Sequence, residues 1–533
     1  LDKRSVRLGL TVWATMAGAL LILPSARAAE LSPKLKELLR EAQDLQDKGY
    51  YARAWEKYHQ IRVAEHNPPE EVTKGAQFCL RRVQQGRRLR DKPSQALLAD
   101  LKQSEALNLY ADVLTELRKK YFDHTKVGPS ELFQYGVQEM RLALEDDAFL
   151  PPNVNAGALT GLKERLDGLR DNPPSIKKPT DTRQQLEGII LDAYGLGIKP
   201  TAVLVEFISG ACNALDEYTG YLSPRRLEQI EADLNGKFVG IGIDVAVRGQ
   251  QLYVHRVYPN SPAFGKLSAG DVILSIDGQT PDPDSPGALV GKLQGEAGTK
   301  VALEIDGMKD KVTVERQAVV IPSVPPSSYD PGTGIGYIRL LSFQKTTPQE
   351  LRSELLVLRS HTGGLKGLIL DLRGNLGGSF EAALEVAEQF LPEGVIVYTQ
   401  LRTKEEARRA NNPDALAMPM FVLVDGETAS AAEIVAGALK DNGRAELVGQ
   451  TTYGKGSIQC LVKLNSLKAG MQVTVARFSS PERVPYDGHG VAPNHVVADS
   501  MMMNADPQRD AASALLENKL KMSTPMLKMP PLN

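Results

Sequence analysis

The sequence predicts an α/β protein whose core is interrupted by a small inserted β-domain and preceded by a helical region. Three observations carry this. Over residues 31–235 the apolar positions recur at helical spacing. At 238 the pattern changes to short strand-like runs separated by Gly, Pro, Asn or Asp. From 334 onward strands alternate with helices, which implies an α/β layer with a partly parallel sheet. The 533 residues allow roughly three or four domains as a soft prior. Hydrophobic residues are 42% and charged residues 24%, so a packed core is within reach and global disorder is excluded. The formal charge is −2, without the basic excess of a nucleic-acid protein. Cys79, Cys212 and Cys460 cannot build a disulfide framework, and no Cys/His spacing suggests a metal site.

The chain opens with Lys3, Arg4 and Arg7, an apolar run over 8–23, and the small-residue pattern Ala26-Arg27-Ala28. That order is a secretory signal peptide over 1–28, with cleavage expected after Ala28 and a periplasmic destination. The alternative is an uncleaved anchor, the one route to membrane association, but the run is shorter than the roughly 20 residues of a span. Residues 30–93 read as helix: Leu31, Leu35, Leu38, Leu39, Ala42 and Leu45 share a face. Gly49, Tyr51, Ala54 and Tyr58 suggest either one tetratricopeptide-like unit or, more simply, a helical hairpin. Residues 94–235 continue helical into the core, with Leu107, Tyr110, Val113, Leu114 and Leu117 on one face and a loop around Pro173-Pro174. The inserted β-domain spans 236–318, the α/β core 319–500, and the Met- and Pro-rich 501–533 reads as a tail without a site.

The β-domain begins with Gly240-Ile241-Gly242-Ile243, whose backbone N–H groups can cradle a carboxylate because Gly permits close approach. Ser261-Pro262-Ala263, Ala269-Gly270-Asp271 and Ile276-Asp277-Gly278 follow in order. The whole set resembles a PDZ domain. That resemblance implies capture of a free peptide C-terminus by strand addition, with Gly240, Ile241, Gly242 and Ile243 as the peptide-binding residues.

Three features of the core fit together chemically. In the run Asp425 to Glu433, Ser430 follows an apolar strand and opens a helix, where the dipole and free N–H groups favour developing negative charge; alone, such a Ser reads as a helix cap. Lys455, between Gly454 and Gly456, can be turned inward, and desolvation would leave a neutral amine able to take a proton. Gly449, Gly454 and Lys455 also have phosphate-loop spacing, but the next residue is Gly456, not the Ser or Thr that motif needs. Finally, Asp371-Leu372-Arg373-Gly374-Asn375-Leu376-Gly377-Gly378 places bare amides at a strand-to-helix turn, suited either to an oxyanion or to an ordinary tight turn.

Residues 334–495, together with 215–242 and the inserted β-domain, resemble the carboxyl-terminal-processing (tail-specific) serine proteases. The resemblance implies a crotonase-like protease core. Its Thr-Ala-Ser-Ala-x-Glu motif falls on 428–433 and its Tyr-Gly-Lys-Gly-x-x-Gln motif on 453–459. This makes Ser430 the nucleophile, Lys455 the base and Gln459 the base's orienting partner. It also implies an oxyanion hole of the Ala431 amide and one from Gly377 or Gly378, with Asp441 structural. Departures are Ala432 for a second Ser, Leu376 for the usual Pro, and Asn494 for Asp.

The expectation is an extracytoplasmic serine endopeptidase acting on protein or peptide substrates recognised by their free C-termini, needing no cofactor or metal and no nucleic acid. Two alternatives stand beside it. One is a catalytically silent PDZ and helical adaptor. The other is an acyl-CoA enzyme of crotonase type, which the export signal disfavours.

Overall fold

The computed structural model describes residues 31–65, 68–90, 102–177, 179–248, 251–281, 286–464, 469–498 and 506–523. The expected signal segment over 1–28 lies outside them. Among the described residues no helix is long and apolar enough to cross a membrane.

The chain divides into two compact units, residues 1–76 and 77–533. In the first, Ser32 caps the helix Pro33–Asp47 through the Leu35 amide, and Gly49 at φ +79° ends it. The helix Tyr51–Ala64 folds back on it, with Ala42 and Ala54 buried where the two meet and Tyr58 donating to Gln46. Ala at both contact points lets the backbones approach closely.

In the second unit, the helices Gln103–Lys120, Pro129–Ala143, Ala156–Asp171, Pro179–Gly195 and Pro200–Asn213 enclose a core around Leu114, Phe133 and Phe207. Val462, Leu464, Met471 and Val473 of a five-stranded sheet join that core. In this sheet Ala469–Ser479 pairs antiparallel with Gly220–Leu222, Glu393–Gln400 and Ser457–Leu464, and Glu405–Asn411 forms an edge.

The α/β layer is built on a six-stranded sheet in the order His495–Val496, Glu446–Gly449, Met420–Val424, Gly367–Asp371, Ile335–Arg339, Ser328–Asp330. All neighbours are parallel except the last pair. Every residue of Gly367–Asp371 and Met420–Val424 is buried, because both faces are covered. Helices Thr347–Arg359, Phe380–Glu388 and Ala431–Asp441 pack on one face. On the other lies Pro507–Ser523, with Ala512 and Leu516 fully buried against Ile369, Phe421 and Val448. That helix falls in the stretch the sequence reads as a tail. Its Ala511, Ala512, Leu515, Leu516 and Leu520 form a narrow apolar stripe that only the exposed sheet face makes useful.

The β-domain leaves and rejoins the core through a two-stranded stem, Lys237–Gly240 against Gln317–Val320. Its own sheet runs Ile243–Arg248, Gln251–Val257, Val272–Ile276, Lys300–Ile305, Val312–Glu315, entirely antiparallel, around Leu252, Val254, Ile273 and Val301.

Candidate active site

Three loops meet at the carboxyl ends of adjacent parallel strands, where open α/β sheets place their ligands. Residues 372–379 follow Gly367–Asp371, residues 425–430 follow Met420–Val424, and residues 450–456 follow Glu446–Gly449.

Ser430 stands at the head of Ala431–Asp441 with φ +57° and ψ −116°. An L-residue held there stores strain of about 1–3 kcal/mol and persists only when its surroundings over-determine it. They do so here. The Ser430 N–H donates to Glu433 Oε2 at 2.7 Å, and the Ala429 N–H donates to the Asn375 carbonyl at 2.9 Å. Gly377 also lies directly against the segment: a Cβ there would come 2.9 Å from Ser430 Cβ and 3.0 Å from the Ala431 nitrogen. With φ +99° as well, position 377 accepts only glycine.

Lys455 sits in a turn whose backbone is tied to the Ser430 segment. Its N–H donates to Glu433 Oε2 at 2.9 Å, the same oxygen that accepts from Ser430. The separation of the two backbone nitrogens therefore cannot exceed the sum of those two bonds. Gly454 N–H and Thr452 Oγ1 donate to Glu433 Oε1 at 2.7 and 2.6 Å, and the Tyr453 N–H donates to the Thr428 carbonyl. The Lys455 ammonium lies 4.9 Å from the Tyr218 ring centroid. Burial depresses the Lys455 pKa against the opposing pull of Glu433, Asp216 and Glu217. Burial raises Glu433 to about 7, against its four donors.

Ser430 Oγ and Lys455 Nζ share no hydrogen bond in this structure; what joins the residues is the backbone bracket on Glu433. Gln459 turns its amide to Ser457 Oγ at 2.8 Å and Thr474 Oγ1 at 3.3 Å rather than to Lys455. Of the expected amides, Gly377 N–H is already spent on Asn375 Oδ1 at 2.9 Å. Ala431 N–H and Gly378 N–H have no acceptor among the described residues. Asp441 lies apart, its carboxylate accepting from the Glu482 backbone at 3.4 Å.

Two residues here stand inside the sequence motifs, which assign them no role. Glu433 is fully buried and joins both loops; the available signal was the Ser-x-x-Glu spacing of a capping box. Asn375, also fully buried, clamps the glycine turn, its side chain bonding Gly377 and the Leu340 carbonyl and its own carbonyl holding Ala429. Asp425 adds a second clamp, accepting from Gly374, Glu427 and Thr428. Among the described residues no cluster of three or more His, Cys, Asp or Glu has the arrangement of a metal site.

In the β-domain, Gly240 ends the stem strand and Ile241 is buried in the small core. Gly242 takes φ +78°, where a Cβ would meet Ser261 at 2.1 Å, and its carbonyl accepts from Tyr258 N and Ser261 Oγ. Ile243 begins the strand Ile243–Arg248, which pairs only with Gln251–Val257 among the described residues and so presents an open edge.

Residues 334–497 match peptidase family S41, and residues 253–306 match a PDZ domain. The carboxyl-terminal-processing protease of Synechocystis sp. is 37% identical over 319 residues, spanning 57% of this chain and 74% of that protein. The carboxy-terminal-processing protease of Bartonella bacilliformis is 32% identical over 300 residues, spanning 54% of this chain and 68% of that protein. The solved photosystem II D1 C-terminal processing protease aligns over 74% of this chain and 93% of its own, at 24% identity and a TM-score of 0.42. The chain belongs to the carboxyl-terminal-processing proteases, serine-type peptidases of family S41 that here carry a PDZ domain.

Proposed function

We propose that the chain is an extracytoplasmic Ser–Lys endopeptidase that cleaves proteins engaged through their free C-termini. Neutral Lys455 takes the Ser430 hydroxyl proton as Oγ attacks the scissile carbonyl. The oxyanion falls between the Ala431 and Gly378 amides, chosen over Gly377 because that amide is already committed to Asn375. The Lys455 ammonium returns its proton to the departing amine, leaving an acyl-enzyme on Ser430. Water, deprotonated by the again neutral Lys455, then attacks the ester and frees the new carboxyl terminus. The approach of Ser430 Oγ and Lys455 Nζ is completed when substrate fills the site, as catalytic hydrogen bonds tighten in the Michaelis complex. The PDZ domain supplies the tail site, through its open edge strand and the turn at Gly242. The basic, apolar and small-residue order of the first 28 residues supports export.

The observation that carries this reading is the shared oxygen of Glu433, which accepts from the Ser430 and Lys455 amides at 2.7 and 2.9 Å. The test is peptide cleavage by the full chain and by Ser430→Ala and Lys455→Ala. Both variants are expected to lose kcat by about four to six orders of magnitude. In the unaltered chain kcat should rise with pH as the burial-depressed Lys455 loses its proton. Cleavage that survives either substitution, or a rate that falls through that range, rejects the neutral-lysine mechanism, and absence of cleavage by the unaltered chain leaves the adaptor alternative.

A further inference from the structure

The turn that presents Gly378 is held from two directions. From the nucleophile side Asp425 and Asn375 grip it, as described above. From behind, Arg373, near the start of the turn, is anchored through every side-chain donor it has. Nε and Nη2 donate to Asp371 Oδ1 and Oδ2 at 3.0 and 2.7 Å. Nη1 and Nη2 donate to Asp506 Oδ1 and Oδ2 at 2.7 and 2.8 Å, and Nη1 also reaches Gln508 Oε1 at 3.1 Å. Asp371 is almost fully buried at the end of its strand and accepts as well from Tyr337 Oη and the Arg373 amide. Asp506 is the only one of these carboxylates that comes from outside the sheet. It opens the helix Pro507–Ser523, accepting from the Arg509 amide at 3.0 Å, and Ala512 and Leu516 fix that helix to the sheet. A guanidinium matched to two carboxylates by planar forks has little freedom to shift.

We propose that Asp506 is a positioning residue for the oxyanion turn: through Arg373, the carboxyl-terminal helix fixes where the Gly378 amide points. The proposal rests on the reading of Ser430 as nucleophile and Gly378 as an oxyanion donor. Asp506 touches no reacting atom. It acts because the turn runs only five residues from Arg373 to Gly378, with Gly374 and Gly377 adding freedom that the forks must remove. A donor displaced by a fraction of its hydrogen-bond length stabilises a tetrahedral oxyanion poorly while leaving ground-state binding intact.

The experiment uses the full chain with Asp506→Asn and Asp506→Ser. Both replacements still cap the helix, so the variants fold, while Asn removes the charge and one acceptor of the fork and Ser removes its reach. Four quantities are measured: kcat and KM on a peptide substrate, the inhibition constant of a peptidyl boronate, and peptide binding in a Ser430→Ala background. The expected result is a kcat lower by about tenfold or more, KM within about twofold, and boronate affinity weakened in parallel with kcat. Peptide binding should not move. Combined with Arg373→Lys, Asp506→Ser should cost little beyond Arg373→Lys alone, because the two side chains act as one unit. An unchanged kcat overturns the proposal, as does a loss confined to thermal stability or to KM. If Ser430→Ala itself leaves cleavage intact, the nucleophile reading fails and this proposal falls with it. Cleavage abolished by Ser430→Ala but indifferent to Asp506→Asn rejects the proposal alone.

Discussion

Glu433 concentrates the site's electrostatics in one carboxylate. Each of its oxygens accepts two donors, so it is used as an acceptor only. A proton on it, or the amide of Gln, would place hydrogen against hydrogen. Glu433→Gln should therefore lower kcat by about 10²-fold or more, since both Ser430 and the Lys455 turn lose a shared anchor. The same substitution mimics the protonated acid, so the component of the pH profile that follows ionisation near about 7 should vanish, leaving the rise that belongs to Lys455. For stability the sign runs the other way. The folded-state value lies above the ordinary carboxyl value, so this group's contribution is full below the unfolded pKa and is lost as pH rises through about 7. Kinetic profiles and melting curves of the two proteins across that range test both statements. A Gln variant with full activity would reduce Glu433 to a replaceable buried polar residue. The Ser and the Lys were legible in the sequence because motif spacing marks them. The role of Asp506 and the bonds of Glu433 to the Lys455 turn were not, because they are contacts: Asp506 meets Arg373 across 133 residues, which no local pattern encodes.

At the scale of elements, the parallel strands of the core and the short strands of the inserted β-domain were easy to read, and the antiparallel edge strand Glu405–Asn411 was not. Gly367–Asp371 and Met420–Val424 are apolar throughout because both faces are covered. Glu405–Asn411 carries Glu405, Glu406, Arg408 and Arg409 and has no strand signature of its own. It is a strand because Glu393–Gln400 pairs with it along its length, with one irregularity between Val395 and Val397, tertiary context overriding propensity. The PDZ stem has a practical consequence. Lys237 pairs with Val320, and the Ile321 amide bonds the Gly236 carbonyl at 3.3 Å, so the two ends of the insertion are neighbours. Excising 237–320 and joining Gly236 to Ile321 by a short Gly-Ser linker should leave a folded peptidase core. The expected outcome is loss of discrimination between a peptide with a free C-terminus and its amidated twin, read as the ratio of their kcat/KM values approaching one. Discrimination that persists in the excised protein would place carboxylate recognition in the core and remove the tail-binding role from the PDZ domain.

At the scale of the whole molecule, the helical region of the second unit is secured by charge as well as by apolar packing. Glu139 and Glu206, on helices Pro129–Ala143 and Pro200–Asn213, are essentially buried. Arg88, on the helix Glu70–Arg90, reaches both, at 3.0 and 2.7 Å, and Arg81 and Gln85 on that helix complete the network. Burial disfavours the Arg88 charge, but the two carboxylates and their hydrogen bonds outweigh it and hold the guanidinium above its usual range. In the sequence these cations are only the run Arg81, Arg82, Arg87, Arg88 and Arg90, which by itself reads as a solvated face or linker. Their buried partners lie more than 50 residues away, beyond the reach of any local pattern. Truncating one member of such a network is costly because it strands the others without water: Arg88→Met should destabilise the fold by about 3–5 kcal/mol. Replacing the set together, Arg81→Met and Arg88→Met with Glu139→Gln and Glu206→Gln, should recover part of that loss, since no charge of the network is then left uncompensated. Denaturant melts of the three proteins decide it. A single variant as stable as the unaltered chain would mean that water reaches the two glutamates, and that apolar packing alone holds these helices together.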